Sequence, residues 1–201
     1  MHKYSTTKVG KFYDLVAPVY SVVDMFLKYQ KKQLIQTINT YPVGRILEIG
    51  VGTGSHLELY QRHSVVGIDL SDRMLQKAER QRSSANVSLQ KMNGEHLEYS
   101  NNKFDYVVIM HVLAVTPSPE KLMKEAIRVL KPSGFLFILN HDSPDTWVGL
   151  IDKVFDGLCR FVGFSSAFVV PELGSLNELT LVEGDKPSSR RYIKCFIYQN
   201  D

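Results

Sequence analysis

The chain has little of what marks a metal-binding, secreted or membrane-spanning protein. It has two cysteines, Cys159 and Cys195, which are too far apart in sequence to form a metal-binding pair. We interpret them as reduced thiols of a cytosolic protein. No apolar run approaches the roughly 20 residues that span a bilayer, and no apolar segment near the first lysines suggests a secretory signal. The sequence therefore predicts neither a metal site nor a spanning helix.

The sequence also lacks a large excess of either sign of charge. The 24 basic residues exceed the 21 acidic residues by three, for a net charge of +3. That excess is too small to indicate a nucleic-acid partner, and no basic patch with interleaved aromatic residues supports one. The composition, 44% hydrophobic and 22% charged, is typical of a globular protein. A chain of 201 residues has the length for one domain with one sizeable core.

What the sequence does contain is an apolar strand that runs into three alternate glycines. Residues 45–49 precede Gly50, Gly52 and Gly54, and a second apolar strand ends on Asp69. Strand, glycine loop, helix, strand and acid are the parts of a βαβ unit that binds a nucleoside or dinucleotide. Glycines let the backbone approach a ligand closely. A carboxylate at the end of the second strand can accept hydrogen bonds from both hydroxyls of a ribose.

The spacing of the glycines distinguishes two cofactors. The dinucleotide fingerprint is G-x-G-x-x-G, whereas here every second residue is glycine and Glu48 stands two residues before the first. An acid there is an awkward neighbour for a pyrophosphate and a tolerable one for a sulfonium or an amino group. The stretch resembles motif I, E/D-x-G-x-G-x-G, of the class I S-adenosylmethionine (AdoMet)-dependent methyltransferases. The resemblance implies AdoMet as cofactor.

The order of strand-like and helix-like segments predicts the fold. A helix is expected over 55–62, and continuous apolar runs over 104–110 and 135–139 indicate strands buried on both faces. The last two strands, 176–182 and 192–198, are joined by a loop too short for a crossover helix and should be antiparallel. We therefore predict an α/β, Rossmann-like class I methyltransferase fold. Its mostly parallel seven-stranded sheet ends in an antiparallel hairpin and carries helices on both faces.

We expect a single domain, 1–201, with three parts. Residues 1–43 would form a helical lid that faces the membrane, and residues 44–142 the AdoMet-binding core. Residues 143–201 would supply a helix on the substrate side and the final antiparallel strands.

The N-terminal part has an interrupted helical pattern. Pro18 is expected to break any helix there, with a new helix beginning near Asp24. The pattern Tyr-Asp-x-x-Ala-Pro-x-Tyr, which includes Tyr13 and Tyr20, resembles the lid of lipid and quinone methyltransferases, where tyrosines cover AdoMet. The alternative is that both tyrosines are packing residues.

The class I resemblance assigns cofactor contacts residue by residue. The three glycines, Gly50, Gly52 and Gly54, would approach the methionyl and ribose portions. Glu48 would order the loop and the cofactor amino group, and Asp69 would bind the ribose hydroxyls. The remaining contacts that the resemblance implies are Leu70 on adenine, Asn93 and Gly94 at the adenine edge, and Met110 near the methyl group. The family usually has Asp where this chain has Asn93.

Two histidines are candidates for proton transfer. His111 and His141 follow the fourth and fifth strands, at the crevice where such sheets bind ligands. With an ordinary pKa of about 6.5, either could accept the proton of a substrate ammonium. The alternative is a structural role. Tyr20 would close over the cofactor, and His56 and His63 are expected on the surface.

Weaker motifs indicate the methyl acceptor. The chain lacks the Asn-Pro-Pro-Tyr-like tetrapeptide of enzymes that methylate adenine or glutamine. Stretches 17–20, 66–71, 112–117 and 140–141 resemble bacterial phospholipid N-methyltransferases, which convert phosphatidylethanolamine stepwise to phosphatidylcholine. The runner-up is the ubiquinone/menaquinone C-methyltransferase group or another small-molecule C- or O-methyltransferase. The quinone group usually has Glu-His near Ala114, and this chain lacks that pair. A third alternative is an AdoMet- or lipid-binding module without catalysis.

A lipid substrate implies that the protein docks on an anionic membrane from the cytoplasm. Basic residues that could make this contact are concentrated near the N-terminus: Lys3, Lys8, Lys11, Lys28, Lys31 and Lys32. Each cation near such a surface is worth roughly 1 kcal/mol. The alternative is that they are ordinary solvated lysines. Arg190 and Arg191 are candidates for binding the lipid phosphate, and Asn140 for binding the substrate.

Overall fold

A computed structural model describes residues 6–82, 86–141, 173–185 and 193–201, without the side chains of 6–8, 16–26 and 141. The helix expected on the substrate side after residue 143 lies outside these residues, as do Lys3, Cys159, Arg190 and Arg191.

The described strands form one seven-stranded sheet, and the predicted fold class is confirmed. The strands are β1 Arg45–Ile49, β2 Ser64–Asp69, β3 Val87–Lys91, β4 Phe104–Met110, β5 Leu130–His141, β6 Leu179–Gly184 and β7 Ile193–Asn200. Their order in the sheet is β3-β2-β1-β4-β5-β7-β6. The first five are parallel, and β7 pairs antiparallel with both β5 and β6. The chain reverses its direction of winding between β1 and β4, where such sheets bind ligands beyond the strand ends.

Helices cover both faces of the sheet. They are α1 Thr6–Ile38, α2 Asp72–Gln81 and α3 Pro119–Val129, with 3-10 turns at Leu57–Leu59 and Gly174–Glu178. Successive residues of β4 alternate between two apolar clusters, because neighbouring side chains of a strand point to opposite faces. One cluster contains residues of α3, and the other contains the C-terminal part of α1 and Ala78 of α2.

Pro18 does not interrupt the first helix, so the predicted break and the new start near Asp24 are wrong. A proline inside a helix leaves the carbonyl four residues earlier without its usual N–H donor. That carbonyl belongs to Asp14, and it accepts a hydrogen bond of 3.1 Å from Nη1 of Arg73 in α2. A donor from the neighbouring helix therefore replaces the one that Pro18 lacks.

The helix predicted over 55–62 is also wrong, because the chain there makes only the 3-10 turn Leu57–Leu59. Nor are His56 and His63 on the surface, since each is 1% exposed. The short turn directs His56 inward to Glu48. His63 Nδ1 accepts a 3.3 Å hydrogen bond from the backbone N–H of Gly44, and its ring lies edge-on to Tyr106.

Candidate active site

A cavity that is partly open to solvent lies at the carboxyl ends of β1, β2 and β4. Its walls come from α1, the glycine loop (residues 50–54), the end of β2, the loop after β3, and the end of β4 with the loop that follows. Among the residues singled out from the sequence, those that line it are Tyr13, Lys31, Gly50, Gly52, Asp69, Leu70, Asn93, Gly94, Met110 and His111. The fold thus brings most of the candidate cofactor residues together with one of the two candidate histidines.

The glycine loop needs glycine for conformation and for packing. Gly50, Gly52 and Gly54 have φ values of +77°, +57° and +71°, in the left-handed region that L side chains rarely adopt. A Cβ on Gly50 would lie 2.3 Å from Cγ2 of Val112, and one on Gly54 would lie 2.6 Å from Cβ of Ala78. Gly54 therefore packs against α2 and does not line the cavity.

Glu48, on β1, holds the segment that directly follows the glycine loop. Its side chain is 1% exposed; one oxygen lies 2.5 Å from Nε2 of His56, and the other accepts a 2.9 Å hydrogen bond from the hydroxyl of Tyr60. Burial and the Glu48 carboxylate raise the pKa of Tyr60 well above its ordinary value, so the phenol stays protonated and donates. These contacts fit the loop-ordering role predicted for Glu48. A contact with the cofactor amino group stays a prediction, because Glu48 does not line the cavity.

The partners of Glu48 were not predicted from the sequence. His56 and Tyr60 lie in the segment that was predicted to be a regular helix, and His56 was expected on the surface. The signal that could have found them is the shortness of the segment between the glycine loop and β2.

Asp69 connects the glycine loop to the start of α2. Oδ2 accepts a 2.9 Å hydrogen bond from the N–H of Gly52, and Oδ1 accepts one of 2.9 Å from the N–H of Ser71. Burial raises the pKa of the Asp69 carboxyl, while backbone hydrogen bonds, including those from Ser71, Gly52 and Leu70, act against that rise. Each carboxylate oxygen has a second lone pair, so the side chain can still accept from ribose hydroxyls.

Asp14 attaches the N-terminal half of α1 to this end of the cavity. Its Oδ1 accepts hydrogen bonds from Oγ of Ser71 at 2.6 Å and from the N–H of Arg73 at 3.1 Å. Burial acts to raise the pKa of Asp14, but the Ser71 hydrogen bond and the Arg73 charge prevail, and the pKa lies below its ordinary value. One turn earlier, a Cβ on Gly10 would lie 3.1 Å from the carbonyl oxygen of Leu70. No role was predicted for Asp14 from the sequence, although it stands beside Tyr13 in the lid pattern.

A buried carboxylate also joins the loop after β3 to the loop between β4 and α3. Glu95 is 7% exposed, and its Oε1 accepts hydrogen bonds from Oγ1 of Thr116 at 2.6 Å and from the N–H of Ser118 at 2.9 Å. Asn93 Oδ1 in turn accepts a 2.9 Å hydrogen bond from the N–H of Glu95. The oxygen that was expected to meet the adenine amino group thus also shapes its own loop.

His111 lines the cavity in an unusual backbone conformation. Its φ is +59°, and its N–H donates a 2.7 Å hydrogen bond to the carbonyl of Leu139, which extends the pairing of β4 with β5. A non-glycine residue held at positive φ is a common feature of functional sites. Asn140 is 2% exposed and does not line the cavity. The side chains of His141 and Tyr20 lie outside the described residues, and their assigned roles stay predictions.

The lysines of α1 do not share one environment. Lys11, Lys28 and Lys32 are exposed, but Lys31 is 6% exposed and lines the cavity. The predicted surface contact with a membrane is therefore wrong for Lys31. The side chain of Lys8 lies outside the described residues.

Within the part of the chain that the structure describes, no helix has the length and apolarity to cross a bilayer. In the same part, no three His, Cys, Asp or Glu side chains are grouped closely enough to hold a metal ion.

The chemistry of the groups that line the cavity fits AdoMet. Glycines at positive φ expose backbone on one side, and a partly buried carboxylate closes the end of β2. In the described chain the glycine loop leads into a 3-10 turn of three residues, so the loop itself does not open a helix that could bind a phosphate.

Comparisons with known proteins agree with this assignment. A family model described as a methyltransferase domain matches residues 47–138. The chain is 35% identical over 148 residues to the phosphatidylethanolamine N-methyltransferase of Cereibacter sphaeroides, covering 70% of this chain and 72% of that protein. It is 28% identical over 151 residues to a ubiquinone/menaquinone biosynthesis C-methyltransferase of Geotalea daltonii, covering 68% of this chain and 64% of that protein.

A solved structure shows the same fold. A SAM-dependent methyltransferase from Thermotoga maritima, described as a possible histamine N-methyltransferase, superposes with a TM-score of 0.71 at 21% identity. The match covers 96% of this chain and 99% of that one. At this identity the likeness concerns the fold alone.

Proposed function

This chain belongs to the class I AdoMet-dependent methyltransferases, and on that premise we propose that it methylates the amino group of phosphatidylethanolamine and of its methylated intermediates at a membrane surface. One observation carries the proposal. His111 and residues 112–117, whose sequence resembles phospholipid N-methyltransferases, adjoin the same cavity as the glycine loop and Asp69. The identity of 35% with a phosphatidylethanolamine N-methyltransferase supports it.

AdoMet, when bound, supplies an electrophilic methyl group on a sulfonium. Gly50 and Gly52 would contact its methionyl and ribose portions through their backbone, and Asp69 would accept hydrogen bonds from the ribose hydroxyls. Leu70, Asn93 and Gly94 would surround the adenine. Residues on this side of the cavity bind and orient the cofactor and are not expected to move a proton.

The acceptor side has to present a neutral amine. An ethanolamine headgroup is an ammonium at neutral pH, so it must lose a proton before its nitrogen can act as a nucleophile. The His111 imidazole is the candidate that lies in the cavity wall and can accept that proton. Apolar neighbours, among them Met110 and Val112, exclude water from the reacting groups. Alignment of the amine, with water excluded, accounts for most of what the protein has to supply.

Helix α1 is the surface proposed to face the membrane. Lys11, Lys28 and Lys32 are exposed, and so are Leu15 at 73% and Tyr29 at 66%. Cations beside exposed apolar groups suit the boundary between headgroups and acyl chains. Because α1 also lines the cavity through Tyr13 and Lys31, docking by this helix would bring the cavity close to lipid headgroups.

The function is tested with labelled AdoMet and two acceptors. We expect the purified protein to transfer label to vesicles of phosphatidylethanolamine with anionic lipid, and to yield mono-, di- and trimethylated headgroups. An Asp69→Asn variant serves as the control for transfer that depends on the cofactor site. Absence of transfer to lipid, with transfer to a demethylated quinol, would refute the proposal.

The second candidate is C-methylation of a quinol. The 28% identity with a ubiquinone/menaquinone biosynthesis C-methyltransferase favours it, as does the shared lid pattern. It predicts activity without vesicles and no dependence on anionic lipid. A non-catalytic module would instead bind AdoMet without transferring label to either acceptor.

Membrane docking has its own test. Changing Lys11, Lys28 and Lys32 together to Gln should reduce sedimentation with anionic vesicles but leave AdoMet affinity unchanged, because these side chains are exposed. A Lys77→Gln variant, changed on α2, is the control. Undiminished sedimentation of the triple variant would show that the three lysines are incidental.

A further inference from the structure

Two loops of the cavity wall are joined by one buried side chain that does not itself line the cavity. The β3 loop (residues 92–97) and the β4–α3 loop (residues 111–118) both supply lining residues. Glu95, in the β3 loop, is 7% exposed and is not among them. We infer that Glu95 is a positioning residue, which transmits the binding of AdoMet at the β3 loop to the β4–α3 loop. The inference rests on AdoMet as the cofactor and does not depend on the proposed lipid acceptor.

Glu95 holds the β4–α3 loop at two points. Its Oε1 accepts hydrogen bonds from Oγ1 of Thr116 at 2.6 Å and from the N–H of Ser118 at 2.9 Å. Ser118 is the N-cap of α3, so the carboxylate lies at the end of the helix where the macrodipole favours a negative charge. Thr116 lines the cavity, and the position of its hydroxyl there depends on Glu95.

On the cofactor side, Glu95 is connected to Asn93. The N–H of Glu95 donates a 2.9 Å hydrogen bond to Oδ1 of Asn93, which lines the cavity and is assigned to the adenine edge. Two residues after Glu95, the N–H of Leu97 donates a 2.7 Å hydrogen bond to Oε2 of Glu125 in α3. A ligand that holds Asn93 therefore also restricts the backbone from which the Glu95 side chain extends.

The alternative is that Glu95 only stabilises the fold. The two loops would then be held to the same degree with and without a bound cofactor. The geometry favours transmission, because both ends of this series of hydrogen bonds, Asn93 and Thr116, lie in the cavity wall where a ligand can contact them. A contact that served the fold alone would need neither end within reach of a ligand.

Hydrogen exchange with S-adenosylhomocysteine, the product of methyl transfer from AdoMet, tests the inference without any acceptor. The N–H groups of Val115 and Thr116 donate to the carbonyl of Val112 and not to Glu95, so their exchange reports the order of the loop itself. In wild type we expect saturating product to slow their exchange at least about tenfold, the effect typical of a hydrogen bond to a charged group. Glu95→Ala should lose this slowing but keep the slowing in the glycine loop.

Conservative variants separate positioning from a loss of structure. Glu95→Gln should keep the slowing, because an amide oxygen can replace Oε1, which accepts both hydrogen bonds. Glu98→Ala, which removes an exposed carboxylate nearby, is the matched control and should behave as wild type. From the other loop, Thr116→Val should reduce the slowing, whereas Thr116→Ser, which keeps the hydroxyl, should preserve it.

Two results would overturn the inference: an absence of slowing at Val115 and Thr116 in wild type, or equal slowing in wild type and Glu95→Ala. If Glu95→Ala does not fold, the threonine variants decide, and equal slowing in Thr116→Val and Thr116→Ser would overturn it. A protein that methylates no lipid would refute the proposed function and leave the exchange result in place.

Discussion

The floor of the cavity, formed by the glycine loop and Asp69, and the N-terminal part of helix α1, which we propose as its lid, are each held by a carboxylate in a different environment. Beneath the floor, Glu48 is 1% exposed and bonded to His56 and Tyr60. On the lid, the partly exposed Asp14 is bonded to Ser71 and to the exposed Arg73. A buried charge is costly to strip of its partners, whereas water can replace the partners of an exposed one. The floor should therefore stay fixed while the lid detaches to admit the cofactor.

The largest effect is expected at the floor. Glu48→Ala should lower the free energy of unfolding by about 3–5 kcal/mol, because two buried groups lose their acceptor, and should abolish AdoMet binding. Denaturant unfolding and calorimetry measure the two effects. Glu58→Ala, an exposed acid on the 3-10 turn, should change stability by less than about 0.5 kcal/mol. A Glu48→Ala protein with normal stability and affinity would show that the floor does not depend on this carboxylate.

Asp69→Asn should have the next largest effect, this time on affinity. An amide presents one oxygen in place of two, so a backbone donor or a ribose hydroxyl loses its acceptor, at about 1–3 kcal/mol in AdoMet binding. Asp72→Asn, at the exposed start of α2, is the matched control. Equal affinities of the two variants would place the ribose elsewhere.

Acidification should affect Asp69 in two opposite ways. Burial raises the pKa of Asp69, so the carboxylate is protonated at a higher pH than an ordinary aspartate, and AdoMet affinity should begin to fall at that higher pH. The folded state gains relative stability from the same protonation, since a raised pKa contributes stability at low pH that is lost as the pH rises. The pH dependence of AdoMet affinity should flatten in Asp69→Asn, and an unchanged profile would assign it to another group.

At the lid the expected effect is smaller. Asp14→Ala should cost no more than about 1 kcal/mol in stability, because its partners can turn to water, yet it should speed AdoMet dissociation. The pKa of the Asp14 carboxyl lies below its ordinary value. Its contribution to folding stability is therefore complete at pH values above the ordinary pKa of aspartate, and it is lost as the pH falls through the lowered pKa. Stopped-flow dissociation and hydrogen exchange of residues 9–15 measure the attachment. Arg80→Ala, an exposed cation of α2, is the control; equal dissociation rates would mean that Asp14 does not hold the lid.

The smallest effect is expected away from both floor and lid. Burial raises the pKa of the Cys195 thiol, in β7, to about 12, so it is almost entirely unreactive at neutral pH. In a Cys159→Ser background, alkylation of native protein should be slow and activity unchanged. Rapid labelling with loss of activity would show that β7 opens in solution.

Prediction from sequence succeeded where one local stretch supplies the whole signal. The glycine loop and Asp69 follow the neighbouring strands β1 and β2, and the apolar runs of β4 and β5 identify strands buried on both faces. It failed at Pro18 and at His56, where a distant partner decides the outcome. The carbonyl opposite Pro18 is satisfied by Arg73 of another helix, and His56 is drawn inward by a buried acid on β1.

The same distinction applies to the lysines of α1. Their sequence clustering suggested a single basic surface, but the helix turns by about 100° per residue, so Lys31 enters the cavity between two exposed neighbours. Sequence spacing alone does not say which side of a helix faces a ligand.

The sequence by itself determined the cofactor class and the fold, because glycine conformation, an acid at a strand end and apolar periodicity are local properties. Only the tertiary structure decided which charges share the cavity. It placed Glu48 beneath the floor with His56 and Tyr60, attached the N-terminal part of α1 through Asp14, and placed Lys31 in the cavity wall and not on the predicted membrane surface. These contacts join segments far apart in the chain, and their energies depend on burial, which only the packed fold supplies.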